Sequence, residues 1–366
     1  VDSQRGGGRF WLVLILGLTL AVMLGSVLLS PAGCGGGGTA RIVLYCAQDE
    51  EFAEKSLAEF KKRTGLEVAP KFDTEKDKSV SLFNELFKEK DRPRCDVFWN
   101  NEPLNTIRLQ RAGMLEAYDS PSAKPYADRD KAPDHTWYAF AARARVLIVN
   151  TDIWKKPEDR PKSLLDLTDP RWKGHIVMAR PLFGTTATQG ACLFAVLGSE
   201  EAKEYYRSLK TNTVQIAPGN KQVAEWVGQG HTPDGRTVSI GVTDTDDTLE
   251  ELDAGHHVAM IFPDRDRPKD DKMGTLFIPN TLCILKGSPN PQGARELVDY
   301  LLSAEVEKHL AESASHQIPL NPEVKAKLPQ GMETPATVKA MTVDFGKAAD
   351  AWDEAYEFLR KEFAAD

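Results

Sequence analysis

The chain has 366 residues, 41% of them hydrophobic and 27% charged, with a formal net charge of −8. That length allows two lobes of ordinary domain size, and the acidic balance gives no electrostatic footprint for nucleic acid, which favours a basic stripe. Five cysteines, Cys34, Cys46, Cys95, Cys192 and Cys283, form neither a CxxC nor a Cys/His pattern, so neither a zinc site nor a disulfide framework is indicated.

The first 38 residues read as a leader. Arg5 and Arg9 precede an unbroken apolar run at 10–29, followed by small residues and glycines 35–38. A basic start, an apolar middle and small residues before a cleavage point describe an export signal. The run is also about long enough to span a bilayer, which leaves an uncleaved anchor as the alternative. Ala32-Gly33-Cys34 resembles a bacterial lipobox, with Cys34 as the lipidated residue, although Pro31 stands where that pattern usually has Leu. Either way the globular part is expected outside the cytoplasmic membrane, on a flexible glycine tether. The other four cysteines are expected to be small buried side chains.

Residues 41–46 (RIVLYC) predict a buried strand, and 47–63 carry Phe52, Leu57 and Phe60 at helical spacing until Gly65. Strand 66–72, helix 80–90 and strand 96–99 continue a β-α-β-α-β pattern, which implies a parallel sheet. The loops at its carboxyl ends, 47–51 and 100–103, are polar and could face a ligand. Helix 104–113 and a charged loop at 121–133 lead to 136–150 (TWYAFAARARVLIVN), which alternates and then becomes continuously apolar, as a strand does when it leaves one sheet for another. Arg143 and Arg145 share one face of it. Two arginines there suit a carboxylate or phosphate, and an exposed edge with solvated arginines is the bland alternative.

A second set of elements follows: strand 175–179, helix 185–197, helix 200–209, strand 214–216, helix 222–229 and strand 238–242. Thr185 and Thr186 fall in a first helical turn behind Gly184, where backbone approaches an anion closely. Residues 239–249 (SIGVTDTDDTL) read as strand, loop and helix, with Asp244, Asp246 and Asp247 interleaved with threonines. Three acids in four positions exceed what one helix cap requires. Strand 256–262, a long strand at 274–286, helix 289–302 and a helical region at 338–363 that packs on the outside complete the chain. Tyr205 and Tyr206 sit mid-helix, where packing explains them. Two extended crossings, 144–150 and 275–285, form a hinge between two α/β lobes with a ligand cleft between them.

In their order, YCAQDEEFAEKSLAEFKKRTG, CDVFWNNEPLNTIRLQRAGMLEAY, FAARARVLIVNTD, DLTDPRWKGHIVMARPLFGTTATQ, VTDTDDT and GTLFIPNTLCILKGSPNPQGARELVDYLLSAEVE with HQIPL carry a family likeness. Over 41–320 the chain resembles the extracytoplasmic solute-binding proteins of ABC importers, in the class related to ferric-ion-binding proteins. The resemblance implies an α/β fold of periplasmic-binding-protein type II, with lobe 1 at 39–143 plus 272–325, lobe 2 at 144–271, and a C-terminal helical segment at 326–366. It implies a monomer that carries a metal ion or small molecule to a membrane permease, without covalent chemistry and without a required cofactor. Ferric-ion binders hold iron with adjacent tyrosines where this chain has TDTDD; Gln48 and Asp49 stand at their first-loop His, and Asn101 or Glu102 at their acid.

Two uses of one cleft stay open. Asp49, Glu102, Asp244 and Asp246 could hold a hard cation, with ferric iron in doubt for want of tyrosinate. Arg143, Arg145, Thr185 and Thr186 could instead hold an anionic group while Gln48, Asn101 and the acids, Asp247 included, recognise a hydroxyl or amine. A sensor coupled to a signalling partner is one alternative, and a hydrolase using paired Asp246 and Asp247 another. Replacing Asp244 and Asp246 with Ala is expected to abolish binding and leave the fold intact.

Overall fold

The computed structural model describes residues 41–73 and 80–363. The leader and Cys34 lie outside them. Among the described residues no helix is long and apolar enough to cross a membrane.

The β-α-β-α-β pattern forms as the sequence predicts. Strand β1 (Ile42–Cys46) ends at the polar loop that opens helix α1 (Glu50–Thr64). Glu50 and Glu51 in the first turn of α1 and Lys61, Lys62 and Arg63 in the last match its dipole, and Gly65, at φ 73, turns the chain out of it. Strand β2 (Val68–Phe72), helix α2 (Val80–Lys88) and strand β3 (Val97–Asn100) follow, and β1 pairs in parallel with both β2 and β3. Helix α3 (Pro103–Arg111) and a two-residue strand, β4 (Leu115–Glu116), lead to β5 (Trp137–Asn150), whose fourteen residues are all buried.

The second half contains β6 (Ile176–Ala179), α4 (Gly184–Leu197), α5 (Ser199–Thr211), β7 (Gln215–Ala217) and α6 (Asn220–Gln229). After these come β8 (Ile240–Asp244), α7 (Thr245–Asp253), β9 (Val258–Ile261) and β10 (Phe277–Leu285). Of the acids expected in a loop after β8, Asp244 ends the strand itself and Asp246 and Asp247 lie in the first turn of α7, because the helix starts at Thr245 directly after the strand. Helices α8 (Pro291–Leu301), α9 (Ala304–Glu312) and α10 (Phe345–Phe363) close the chain.

The strands run β2-β1-β3-β10-β5-β8-β6-β7, with β4 against β10 and β9 against β5. Strand β5 changes partners along its length. Trp137 to Ala144 pair with β10, whereas Arg145 to Asn150 pair with β8 and β9, all antiparallel. Its alternating part belongs to one half of the sheet and its continuously apolar part to the other, so β5 crosses between the halves, whereas β10, expected as the second crossing, pairs only within the half that holds β3 and β4. Cys46, Cys95, Cys192 and Cys283 are buried thiols.

Helix α10 is no outer appendage. It packs on both α3 and α4, burying Trp352, Leu359 and Phe363. Its approach to α4 is so close that a Cβ added at Gly190 would meet Leu359 Cδ1 at 2.7 Å.

Candidate functional site

Five strand ends point at one cavity of about 340 Å³. Its lining includes Asp49 after β1, Asn101 after β3, Arg180 and Phe183 after β6, Pro218 and Gly219 after β7, and Asp244 at the end of β8. Ligands gather at such carboxyl ends because helix N-termini converge there. Arg143 from β5 completes the wall, together with Thr185, Thr186, Asn220, Lys221, Asp246 and Asp247.

The two arginines of β5 serve different ends. Arg145 has no exposed surface, and its register opposite Asp244 in the β5–β8 ladder makes the pair. Its Nη1 donates to Asp244 Oδ1 at 2.8 Å, Thr185 Oγ1 at 3.2 Å and Asn220 Oδ1 at 3.1 Å. Its Nη2 reaches Thr186 Oγ1 at 3.3 Å, and Nε reaches Gln189 Oε1 at 3.1 Å. Asp244 Oδ2 in turn accepts from Thr185 Oγ1 at 2.6 Å and Asn220 Nδ2 at 3.0 Å. This closed network ties the first turns of α4 and α6 to the end of β8. Arg145, expected as a ligand group, does not line the cavity, and the hydroxyls of Thr185 and Thr186 are engaged in the same network.

Arg143 is buried too, but its partners are few. Nη2 donates to Gln48 Oε1 at 2.9 Å, Nε stands 3.5 Å from Asp246 Oδ2, and no hydrogen bond is made by Nε. Burial pushes its pKa down, but Asp246, Asp244, Asp49 and Asp247 outweigh that and hold it above the ordinary arginine value. A cationic group so placed faces the cavity with hydrogen-bonding capacity left over.

Glu102 and Gln48, also expected at the ligand, are absent from the cavity lining. Glu102 is fully buried, does not line the cavity, and caps α3 by accepting from Leu104 N at 2.6 Å and Asn105 N at 3.0 Å. It also accepts from Asn100 Nδ2 at 2.8 Å and from Thr188 Oγ1 on α4 at 3.2 Å. Burial raises its pKa against those hydrogen bonds. Gln48 lies behind the lining as the support of Arg143. Asp49, Asn101, Asp244, Asp246 and Asp247 are at the cavity as expected.

The carboxylates of Asp244, Asp246 and Asp247 approach within 4.8 Å of one another. Asp244 is already engaged at both oxygens, which weakens it as a metal ligand and makes it a support of the fold. Asp247 Oδ2 accepts from Thr243 Oγ1 at 2.9 Å. Asp246 and Asp247 are successive residues of one helical turn, not the opposed pair that glycoside hydrolysis uses. None of the described tyrosines lines the cavity, and Tyr205 and Tyr206 are buried in α5.

Sequence reasoning missed the start of α6. Gly219, Asn220, Lys221 and Gln222 line the cavity beside Phe183 and Gly184 at the start of α4. Neither helix has a side-chain cap, because Phe183 and Gly219 offer no polar side chain at the N-cap. The N–H groups of these first turns have no acceptor within their own helices, so two positive helix ends meet in one cavity. Around them carboxylates outnumber cationic side chains six to three, which favours an occupant carrying both signs of charge. The signal for this was Pro218-Gly219-Asn220, a turn directly between strand and helix.

Residues 106–347 match the family described as bacterial extracellular solute-binding protein. An uncharacterised protein of Haemophilus influenzae is 27% identical over 295 residues, covering 76% of this chain and 79% of that protein. The iron uptake protein A1 of Synechocystis is 23% identical over 315 residues, covering 82% and 84%. Among solved structures, the periplasmic binding protein AfuA of Actinobacillus pleuropneumoniae, with exogenous fructose-6-phosphate bound, aligns with a TM-score of 0.74 at 24% identity, over 89% of this chain and 99% of that one. That last likeness concerns the fold.

Proposed function

The chain belongs to the bacterial extracellular solute-binding proteins, and from that premise we propose that it is the substrate-binding component of an ABC-type importer. Its cargo on this reading is a small solute with an anionic group and a second, cationic or hydroxylated end. A cavity of about 340 Å³ is at the small end of ligand sites. The observation that carries the reading is the meeting of the uncapped starts of α4 and α6 with Arg143, facing an acidic wall. The anionic group would take the helix N–H donors and Arg143; Asp49, Asp246 and Asp247 would take the other end. Lobe 1 at 39–143 plus 272–325 and lobe 2 at 144–271 would close on the solute and present it to a membrane permease. The protein would act outside the cytoplasmic membrane as a monomer, held there through Cys34 or an N-terminal helix.

A hard cation accompanied by an anion is the second reading, favoured by the clustered carboxylates of Asp244, Asp246 and Asp247. A relative named for iron uptake supports it, and the lack of tyrosine among the described lining residues speaks against ferric selectivity. A thermal-shift series with 2-aminoethylphosphonate, fructose 6-phosphate, inorganic phosphate and ferric citrate separates the two. A ligand at a hundred times its dissociation constant adds about 2.7 kcal/mol of stability, a rise readily measured. We expect 2-aminoethylphosphonate or the sugar phosphate to raise the melting temperature. A rise with ferric citrate alone selects the cation reading, and no rise with any of them overturns both.

A further inference from the structure

Ala141 stands inside β5 with φ 42, in the left-handed region where a residue with a Cβ is strained. It is the extra residue of a bulge. The β5–β10 register sets Phe140 opposite Asn280 and Ala142 opposite Pro279, leaving Ala141 without an opposite number. Both of its backbone groups are held by side chains from distant elements. Glu307 Oε1 on α9 accepts the Ala141 N–H at 2.5 Å, and the Asn280 amide donates to its carbonyl.

Glu307 has no exposed surface, and it also accepts from Leu320 N at 3.0 Å and Asn321 N at 2.7 Å. Three N–H donors on one side chain require a group that only accepts, which a carboxylate is and an amide is not. The same carboxylate thereby clips the segment after α9 onto β5, where Ala142 and Ile318 exchange two backbone hydrogen bonds of 2.7 Å. Arg143 is the next residue, and the Gln317 amide lies 3.1 Å from its Nη2.

Side chains alternate along a strand, so one residue more or less turns every following side chain to the other face. The bulge therefore decides that Arg143 is aimed at the cavity. We propose that Glu307 is a positioning residue for solute capture, its carboxylate holding the Ala141 bulge and through it the direction of Arg143. The proposal rests on reading the cavity as the solute site.

The test uses the full chain and 2-aminoethylphosphonate in a calorimetric titration. Glu307→Gln lowers affinity by about tenfold or more, the loss of one charge-assisted contact. In an Arg143→Ala background the same change has no further effect. Adding Ala141→Gly to Glu307→Gln restores affinity, since glycine takes a positive φ without strain. Unchanged affinity, losses that add in the Arg143→Ala background, or absence of rescue by Ala141→Gly each overturn the proposal. If Glu307→Gln does not fold, Glu307→Asp, which keeps the charge but retracts it, takes its place with the same expectations. If the wild-type protein binds no such probe, the reading of the cavity fails separately, and amide exchange judges the bulge. Faster exchange at Ala142 and Ile318 in Glu307→Gln, with β1 unchanged, supports Glu307 as its holder; equal protection overturns that too.

Discussion

Helices α3, α4 and α6 each follow a strand through a short loop, yet their first turns have opposite uses. At α3 the chain supplies its own acceptor, because Glu102 takes the N–H groups of Leu104 and Asn105 and is sealed from solvent. At α4 and α6 the N-cap positions hold Phe183 and Gly219, which accept nothing through their side chains, and both starts open onto the cavity. A helix start becomes a binding element only where its own chain leaves the N–H groups unanswered. The same contrast divides the arginines of β5. Arg145 is saturated by Asp244, Thr185, Thr186, Asn220 and Gln189, whereas Arg143 keeps hydrogen-bonding capacity for an occupant.

The sharpest way to break this contrast is Arg145→Ala. It leaves Asp244 buried without its counter-charge and unties the starts of α4 and α6, and we expect about 3–5 kcal/mol of lost stability by chemical denaturation. A loss below about 1 kcal/mol would show that the pair does not support the site. Asp244→Ala strands Arg145 in the same way and is expected to lose a comparable amount of stability.

Glu102→Ala comes next. It removes the cap of α3 and leaves buried N–H groups unmatched, for about 2 kcal/mol of lost stability, while the folded protein keeps its affinity within about twofold. An affinity collapse at unchanged stability would make Glu102 a ligand group and erase the distinction between the helix starts.

Asp247→Asn has the smallest expected effect on folding, about 0.5 kcal/mol or less, because it lies on the partly accessible first turn of α7, and Asp246→Asn costs somewhat more, about 1 kcal/mol, because it removes the charge nearest the buried Arg143. Each should weaken 2-aminoethylphosphonate about tenfold while sparing inorganic phosphate, through loss of attraction for the amine. Equal weakening of both probes would mean that the acids act on the anionic end, contrary to the division of the cavity.

Much of the fold was legible because it rests on local periodicity. The β-α-β-α-β start, the crossing strand at 136–150 and the strand into VTDTDDT all follow from apolar spacing and turn residues. Boundaries around the site were less so. Asp246 and Asp247 read equally well as loop or first helical turn, and α9 went unnoticed because its nine residues follow α8 with only two between them. Among the expected site residues, Asp49, Asn101, Arg143, Thr185, Thr186, Asp244, Asp246 and Asp247 line the cavity. Lys221 and Gln222 were missed for lack of any acid or arginine cluster to draw attention to them.

By itself the sequence determined the element order, the acidic turn after β8 and the shared face of Arg143 and Arg145, since these depend on residue type and spacing along one stretch of chain. Only the tertiary structure decided which polar groups remain available to a solute. Glu102 meets Thr188 from 86 positions away and Arg145 meets Asp244 from 99, and such pairings, which satisfy one buried charge and leave its neighbour open, arise only when distant strands are brought into register.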